Sequence, residues 1–150
     1  MNILSLCDGM SCCHIALDRA GIPVDKYFAA EIKDIGIKVT KANYPDTIHI
    51  GDVNKITYKD GTLYTENGNY KVKIDMVAFG SPCQSFSQIG YGRGFAEIKQ
   101  NRGNMFFILR DIIKSKRPKC IFLENVRYLL KHDNGRTFQV IKDIIENELN

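Results

Sequence analysis

A cysteine and a glutamate each follow an apolar run, and their side chains are the ones best placed for chemistry. Cys83 lies in the segment Gly-Ser-Pro-Cys-Gln at 80–84, directly after the apolar run at 74–79. Glu124 follows a second apolar run at 120–123. A cysteine in a loop rather than in a core is a candidate nucleophile. Because open α/β sheets bind ligands at the carboxyl ends of their strands, these runs predict a thiol and a carboxyl group facing one crevice.

Alternating strands and helices are predicted to position these two side chains. The apolar runs that indicate strands occupy 2–7, 26–31, 47–50, 74–79 and 119–123, and helical patterns occupy 11–20, 34–43, 104–117 and 137–149. Because the strands are continuous apolar runs separated by helices, we expect an α/β fold with a mostly parallel sheet covered on both faces. We expect one face of each of the helices at 11–20, 104–117 and 137–149 to point inward. The inward residues are Cys13, Ala16, Leu17 and Ala20 on the first of these helices, Met105, Ile108, Leu109 and Ile112 on the second, and Phe138, Ile141, Ile145 and Leu149 on the third.

Two turn signals predict an antiparallel insertion beside this parallel sheet. Asp60-Gly61 and Asn67-Gly68 each separate runs of β-forming residues, which is typical of β-hairpins. We expect the insertion to occupy 56–72. The glycine-rich segment 81–103 is expected to be a long loop, and loops of that length in a compact domain are usually functional or mobile.

Length, charge and composition set broad limits on the class of protein. The 150 residues fit one domain with a sizeable core, and the composition is that of a soluble globular protein. The net charge of +4, from 21 basic and 17 acidic residues, permits binding to nucleic acid without arguing for it. No run approaches the ~18 apolar residues of a membrane span, and no leader pattern opens the chain. We therefore expect a cytoplasmic protein with no membrane association.

The cysteines argue against both a disulfide framework and a metal centre. Their number is five, and they form neither a Cys-x-x-Cys pair nor a His-containing set with metal-ligand spacing, so no structural zinc is expected. An odd number of cysteines in a cytoplasmic chain indicates free thiols. Cys7 and Cys120 lie within apolar strand-like runs, which predicts that they are small buried hydrophobic residues.

Several motifs, taken in order, resemble those of the DNA cytosine-5 methyltransferases of the restriction-modification or phage type. They are Ile-Leu-Ser-Leu-Cys-Asp-Gly-Met-Ser at 3–11, Ala-Glu at 30–31, Gly-Asp-Val at 51–53, Pro-Cys-Gln at 82–84, Glu-Asn-Val at 124–126 and Gly-Arg-Thr-Phe at 135–138. Each motif alone is weak, but their order and spacing extend over nearly all 150 residues. The resemblance implies a Rossmann-like S-adenosylmethionine-dependent methyltransferase fold.

The resemblance implies that one half of the site binds S-adenosylmethionine. The cofactor-binding residues that it implies are Asp8, Gly9, Met10, Glu31, Ile32, Asp52, Val53, Gly80 and Pro82. Glu31 would accept hydrogen bonds from the ribose hydroxyls, as in dinucleotide-binding folds. Asp52 would accept one from the adenine amino group, and Ile32 would pack on the adenine ring. A nicotinamide dinucleotide is disfavoured because no Gly-x-Gly-x-x-Gly follows the first strand.

This cofactor half departs from the family pattern at one place. The family usually has glycine at the position of Cys13 and often a small residue at that of Cys12. The larger side chains would crowd the first helix against the sheet or the cofactor, which affects the expected cofactor affinity rather than the fold.

The other half of the site is implied to carry out the chemistry. Cys83 would attack carbon 6 of cytosine, Glu124 would hydrogen-bond or protonate ring nitrogen 3, and Asn125 would hold the Cys83 loop. Burial would favour the protonated form of the carboxyl group. The partner that the resemblance implies is double-stranded DNA, from which the target cytosine would have to be flipped. The DNA-binding residues that the resemblance implies are Ser81, Gln84, Ser87 and Arg93.

Family members continue well beyond the point where this sequence ends. The resemblance therefore implies that residues 1–150 correspond to the amino-terminal part of the catalytic domain, and we expect it to be incomplete at its carboxyl end and without the target-recognition domain. The sheet is expected to end with an open edge, and a second polypeptide could supply the missing motifs.

Several other functions remain open. One alternative is a non-catalytic S-adenosylmethionine-binding or assembly module, or a decayed remnant of an enzyme. Another is a tRNA cytosine-5 methyltransferase, which Gln84 disfavours because that branch usually has a different residue in the Pro-Cys-Gln motif. A redox domain of flavodoxin-like fold is the least favoured.

Overall fold

The computed structural model describes residues 1–80 and 104–148, which form two β-sheets surrounded by helices. In chain order the elements are β1 Asn2–Leu6, α1 Cys12–Arg19, β2 Lys26–Ala30, α2 Asp34–Asn43, β3 Ile48–His49, a 3₁₀ turn Val53–Lys55, β4 Thr57–Lys59, β5 Thr62–Thr65, β6 Gly68–Lys71, β7 Met76–Gly80, α3 Asn104–Lys116, β8 Cys120–Glu124, 3₁₀ turns Arg127–Leu130 and His132–Gly135, α4 Arg136–Asp143 and a π-helical turn Ile144–Glu148. Within these two ranges, no helix is long and apolar enough to cross a membrane.

The larger sheet is parallel and confirms the predicted α/β fold. Its five strands lie in the order β3-β2-β1-β7-β8. β1 pairs with β2 on one side and with β7 on the other, through Leu6↔Ala30 and Leu6↔Phe79. The strand order therefore reverses between β1 and β7, and at such a switch point the loops beyond the strand ends diverge and leave a crevice for a ligand.

The smaller sheet is the predicted insertion. β4, β5 and β6 form an antiparallel meander, with Thr57↔Tyr64 in one pair of strands and Thr65↔Gly68 in the other. Tyr58 and Leu63 turn into the main core, where they are 7% and 0% exposed. The insertion is therefore fastened to the domain by its own hydrophobic face.

The alternation of side chains along each strand divides the core between the two faces of the parallel sheet. Leu4, Leu6 and Phe28 point to the face that also contains the insertion and buried residues of α3 and α4. Ile3 and Tyr27 point to the opposite face, where they pack with Leu17 of α1. Both faces of the central strands are thus covered, as the continuous apolar runs predicted.

Several predicted inward positions are exposed. Ala16 and Ala20 are exposed on α1, so the buried stripe of this helix is narrower than predicted and centres on Leu17. On α4, Phe138 is 39% exposed, and Ile144, at the start of the π-helical turn that follows the helix, is buried. Leu149 and the side chain of Met105 lie outside the described part.

Strand β8 forms one edge of the parallel sheet, and among the described residues this edge is open. β8 pairs only with β7 among the described strands. Phe122 is 52% exposed, Leu123 is 37% exposed, and Cys120 is exposed rather than buried as predicted. The apolar composition of this run correctly predicted a strand. Composition does not indicate which side chains of a strand other elements cover, so it wrongly suggested that Cys120 is buried.

Candidate cofactor and active site

The loop after β1 has a tightly wound backbone. Cys7, Gly9 and Ser11 all have positive φ angles, of 56°, 63° and 59°. Positive φ is uncommon for residues other than glycine, and such conformations cluster at ligand sites. A Cβ atom built on Gly9 would meet nothing within 4 Å, so this part of the backbone is open to a ligand.

The Asp8 side chain turns inward beneath this loop. Its Oδ1 accepts a hydrogen bond of 2.7 Å from the Tyr27 hydroxyl, and its Oδ2 accepts one from the Ser11 hydroxyl. The Ser11 Oγ lies 2.9 Å from the Thr40 Oγ1, and both residues are almost completely buried. These contacts hold the Asp8 carboxylate in place and shape the loop, and the predicted role of Asp8 in cofactor binding stays a prediction.

Glu31 ties the end of β2 to the same loop. Its Oε2 accepts a hydrogen bond of 2.8 Å from the Gly9 amide. Its Oε1 accepts two more, of 2.9 Å from the Ile32 amide and 2.8 Å from the Lys33 amide. The carboxylate is thus held by three backbone donors at the carboxyl edge of the sheet, which is where the sequence placed it.

Gly36 on α2 is a site-supporting residue that the sequence analysis missed. A Cβ atom built on Gly36 would lie 2.4 Å from the Gly9 carbonyl oxygen. α2 can therefore approach the loop closely only because this position is glycine. An isolated glycine in a helical pattern was the available signal, since such a glycine often has a packing reason.

The ends of three neighbouring strands converge around Cys7. Burial raises the pKa of the Cys7 thiol from 9.0 to about 12, and the negative charges of Glu31 and Asp52 add to this effect. A thiol that experiences both charges must lie near both carboxylates. The two predicted cofactor-binding carboxylates follow β2 and β3, which both lie on the same side of β1, although they are 21 residues apart in the sequence.

Asp52 begins the 3₁₀ turn after β3. Its Oδ1 accepts hydrogen bonds of 2.9 Å from the Asn54 amide and 2.8 Å from the Asn54 side chain. Val53 is buried, with 5% exposure. In contrast, Ile32 is 68% exposed and Met10 is 52% exposed. These two apolar side chains lie uncovered near the predicted cofactor site.

The predicted acid lies beside the strand that leads to the predicted nucleophile. Glu124 is the register partner of Gly80, and a Cβ atom built on Gly80 would lie 3.5 Å from the Glu124 Oε2. Glu124 is exposed, so the described protein alone does not bury the carboxyl group as predicted. The Asn125 Oδ1 accepts a hydrogen bond of 2.8 Å from the Val126 amide.

An apolar cavity of about 250 Å³ adjoins these residues. Phe79 and Leu123 line it from the strand ends, Phe106 from α3, and Phe138 from α4. Glu124 and Asn125 are also part of its lining. A carboxyl group and an amide therefore border a space with apolar walls, which is a suitable environment for a flat aromatic ring.

The remaining predicted site residues lie outside the described residues. They are Ser81, Pro82, Cys83, Gln84, Ser87 and Arg93. Their roles stay predictions. The described part brings together Gly9, Glu31 and Asp52 at one place and Gly80 and Glu124 at another, and β1 and β7 are adjacent strands.

A parallel sheet with this strand order and a glycine loop after β1 defines a ligand-binding α/β domain of the Rossmann-like class. Within that class, residues 1–148 match the sequence model of the C-5 cytosine-specific DNA methylases. The chain belongs to this family.

Curated relatives agree with this assignment. The chain is 42% identical over 123 residues to the type II methyltransferase M1.ScrFI of Lactococcus lactis subsp. cremoris, a match that covers 82% of this chain and 28% of the relative. It is 39% identical over 127 residues to M.SsoII of Shigella sonnei, covering 85% and 30%. It is 32% identical over 145 residues to the orphan methyltransferase M.Rho11sI of Bacillus phage rho11s, covering 95% and 26%. The chain thus spans less than a third of the length of these relatives.

A solved structure shares the fold. A mutant of Spodoptera frugiperda DNMT2 superimposes with a TM-score of 0.61 and 21% identity, over 95% of this chain and 40% of that one. At this level of identity the likeness concerns the fold alone. It supports the Rossmann-like arrangement of the parallel sheet.

Proposed function

We propose that this chain is the amino-terminal catalytic portion of a DNA cytosine-5 methyltransferase. The observation that carries the proposal is the register pair Gly80↔Glu124. It places the carboxyl group of the Glu-Asn-Val motif beside the residue that lies three positions before Cys83 in the sequence. The strand that leads to the Pro-Cys-Gln motif therefore ends beside the Glu-Asn-Val motif, which supports the proposed chemistry.

The described residues fit S-adenosylmethionine. The backbone of Gly9 is open, Ile32 and Met10 offer exposed apolar surface, and Asp52 retains a second carboxylate oxygen. The Glu31 oxygens accept three amide hydrogen bonds but have about four acceptor positions, so one remains for a ribose hydroxyl. When bound, the cofactor supplies an electrophilic methyl group.

The sulfur of Cys83 is proposed to form a bond with carbon 6 of a flipped cytosine. The electron pair that this attack displaces makes carbon 5 nucleophilic, and Glu124 donates a hydrogen bond or proton to nitrogen 3 as charge develops there. After carbon 5 is methylated, water accepts the carbon 5 proton, the double bond between carbons 5 and 6 re-forms, the Cys83 thiolate leaves, and any proton given to nitrogen 3 returns to Glu124. Because Glu124 is exposed in the described part of the chain, the exclusion of water is proposed to need the bound nucleotide together with polypeptide outside the described residues.

Activity is proposed to require polypeptide beyond residues 1–150, in the same or another chain. The matched regions make up only 26–30% of the length of these relatives, and β8 leaves apolar side chains exposed at the sheet edge. Double-stranded DNA is the proposed substrate, with Ser81, Gln84, Ser87 and Arg93 as contacts. The same observations favour a second candidate, a cofactor-binding module that is inactive until such a partner completes it.

Trapping with a modified substrate tests the proposal. DNA carrying 5-fluorocytosine at the target position blocks the loss of a proton from carbon 5, so the bond from Cys83 to carbon 6 should persist. We expect a denaturation-resistant adduct in the presence of S-adenosylmethionine and the completing polypeptide, and none with Cys83→Ser. An adduct of equal yield with Cys83→Ser would refute the nucleophile.

A further inference from the structure

The turn between β5 and β6 contacts the segment that follows β3. The Glu66 Oε2 accepts a hydrogen bond of 2.9 Å from the Asp52 amide. The Asn67 side chain donates one of 3.0 Å to the His49 carbonyl oxygen. Two adjacent residues of the insertion therefore hold both sides of Gly51, which lies between the two segments they contact.

Gly51 is shaped to receive the Glu66 carboxylate. It has a φ angle of 82°, and a Cβ atom built on it would lie 2.7 Å from the Glu66 Oε2. The carboxylate thus occupies the space where any other side chain would begin. The other carboxylate oxygen forms an ion pair with Lys55 at the end of the 3₁₀ turn. Glu66 therefore contacts both the start and the end of the segment 51–55.

The insertion is anchored firmly enough to position this segment. Leu63 is completely buried in the main core, and the Tyr70 ring packs edge-on against Phe28 of β2 with centroids 5.2 Å apart. The Thr65 hydroxyl donates a hydrogen bond of 2.7 Å to the Gly68 carbonyl, which closes the turn that carries Glu66. Because the turn is fixed to β2 and to the core, it can hold the segment after β3 in place.

We propose that the insertion is a positioning element for the adenine side of the cofactor site and that Glu66 is its positioning residue. This inference rests on the proposed function, in which Asp52 accepts a hydrogen bond from the adenine amino group. Glu66 holds the Asp52 amide while Asn54 holds the Asp52 Oδ1, so the direction of the remaining carboxylate oxygen is set from both sides. Glu66 therefore affects cofactor binding only by fixing the position of Asp52.

Calorimetric titration with two ligands tests the inference. S-Adenosylhomocysteine contains the whole cofactor scaffold, and 5′-methylthioadenosine contains only its nucleoside side. We expect Glu66→Ala to weaken both ligands by the same factor, about tenfold, which corresponds to the loss of one hydrogen bond to a charged group. Glu66→Gln keeps an acceptor for the Asp52 amide and should retain most of the affinity. Lys59→Ala, an exposed change on β4, is the matched control.

The outcomes separate this inference from the proposed function. If the unmodified chain binds neither ligand, the proposed cofactor site and the positioning role of Glu66 are both refuted. If it binds both and Glu66→Ala binds equally well, the inference alone is refuted. An equal loss in Glu66→Gln and Glu66→Ala would also refute the hydrogen-bond role. Amide hydrogen exchange at Asp52 gives a readout without ligand: it should be slow in the unmodified chain and at least tenfold faster in Glu66→Ala, and equal rates would overturn the contact.

Discussion

Cys7 shows how the environment of a single residue reports on the site. The sequence shows Cys7 only as one apolar residue in a predicted strand, and it does not show which residues surround the thiol. The pKa of the Cys7 thiol is raised first by burial and then by the negative charges of Glu31 and Asp52, which follow the neighbouring strands β2 and β3. The sequence could place each carboxylate at the end of a strand, but the distance between them depends on strand order.

The Cys7 thiol should resist alkylation over the ordinary pH range. A thiol with a pKa raised to about 12 stays protonated below that pH, and only the thiolate is nucleophilic. Ionisation favours the unfolded chain once the pH exceeds the unfolded value of 9.0, so the stability that the neutral thiol contributes is present below that pH and lost as the pH rises towards 12. In peptide mass spectrometry after iodoacetamide at pH 8.5, we expect label on exposed Cys12 and not on Cys7. Equal labelling of both in the folded chain would contradict the structure.

Gly36 should not tolerate even a methyl group. Replacing glycine by alanine in a helix normally stabilises it by about 1 kcal/mol, but the new Cβ would lie 2.4 Å from the Gly9 carbonyl oxygen. Overpacking against backbone typically costs about 1–3 kcal/mol, so it outweighs the gain. We expect Gly36→Ala to lower the free energy of unfolding in urea by about 1 kcal/mol. Ile35→Ala, at a neighbouring position with 77% exposure, is the control. Stabilisation by Gly36→Ala would show that the contact is wrong.

At the scale of elements, α2 is linked to the cofactor loop by a buried hydroxyl pair. Ser11 has one proton and gives it to Asp8, so Thr40 must be the donor in the pair with Ser11. We expect Thr40→Val to destabilise the chain by about 1–2 kcal/mol because the Ser11 oxygen then lacks its donor. Thr40→Ser keeps the hydroxyl and should lose less. Urea unfolding of both variants checks this, and equal losses would mean that only the methyl group of Thr40 matters.

Most of the elements were predictable because they depend on local patterns. The strands β1, β2, β7 and β8 are apolar runs, and the Asp-Gly and Asn-Gly turn signals predict the antiparallel insertion. Their boundaries shifted by one or two residues. The exposed faces of Ala16 and Phe138 could not be predicted, because helical periodicity identifies an apolar stripe but not which part of it another element covers. The contact between Glu66 and the Asp52 amide could not be predicted, because it joins the turn between β5 and β6 of the smaller sheet to the segment after β3 of the larger sheet.

At the scale of the molecule, the open edge at β8 should make the isolated chain self-associate. Phe122 is 52% exposed on a strand that has one described neighbour, and exposed apolar strand edges favour pairing. We expect sedimentation velocity to show concentration-dependent oligomers that Phe122→Lys reduces. Lys119→Glu, which alters charge near the same strand but removes no apolar surface, should reduce them less. A monomer at all concentrations would contradict this role of the edge.

The central claim is that Cys83 and Glu124 face one crevice beside the cofactor site. A crystal structure of the chain with S-adenosylhomocysteine measures this directly. We predict that the Cys83 Sγ and the Glu124 carboxyl group face each other across a gap that fits one pyrimidine ring, with the ligand held between Gly9, Glu31 and Asp52. A structure in which these two groups face opposite sides of the molecule, or in which the sulfur is sealed within the apolar core, would contradict the account.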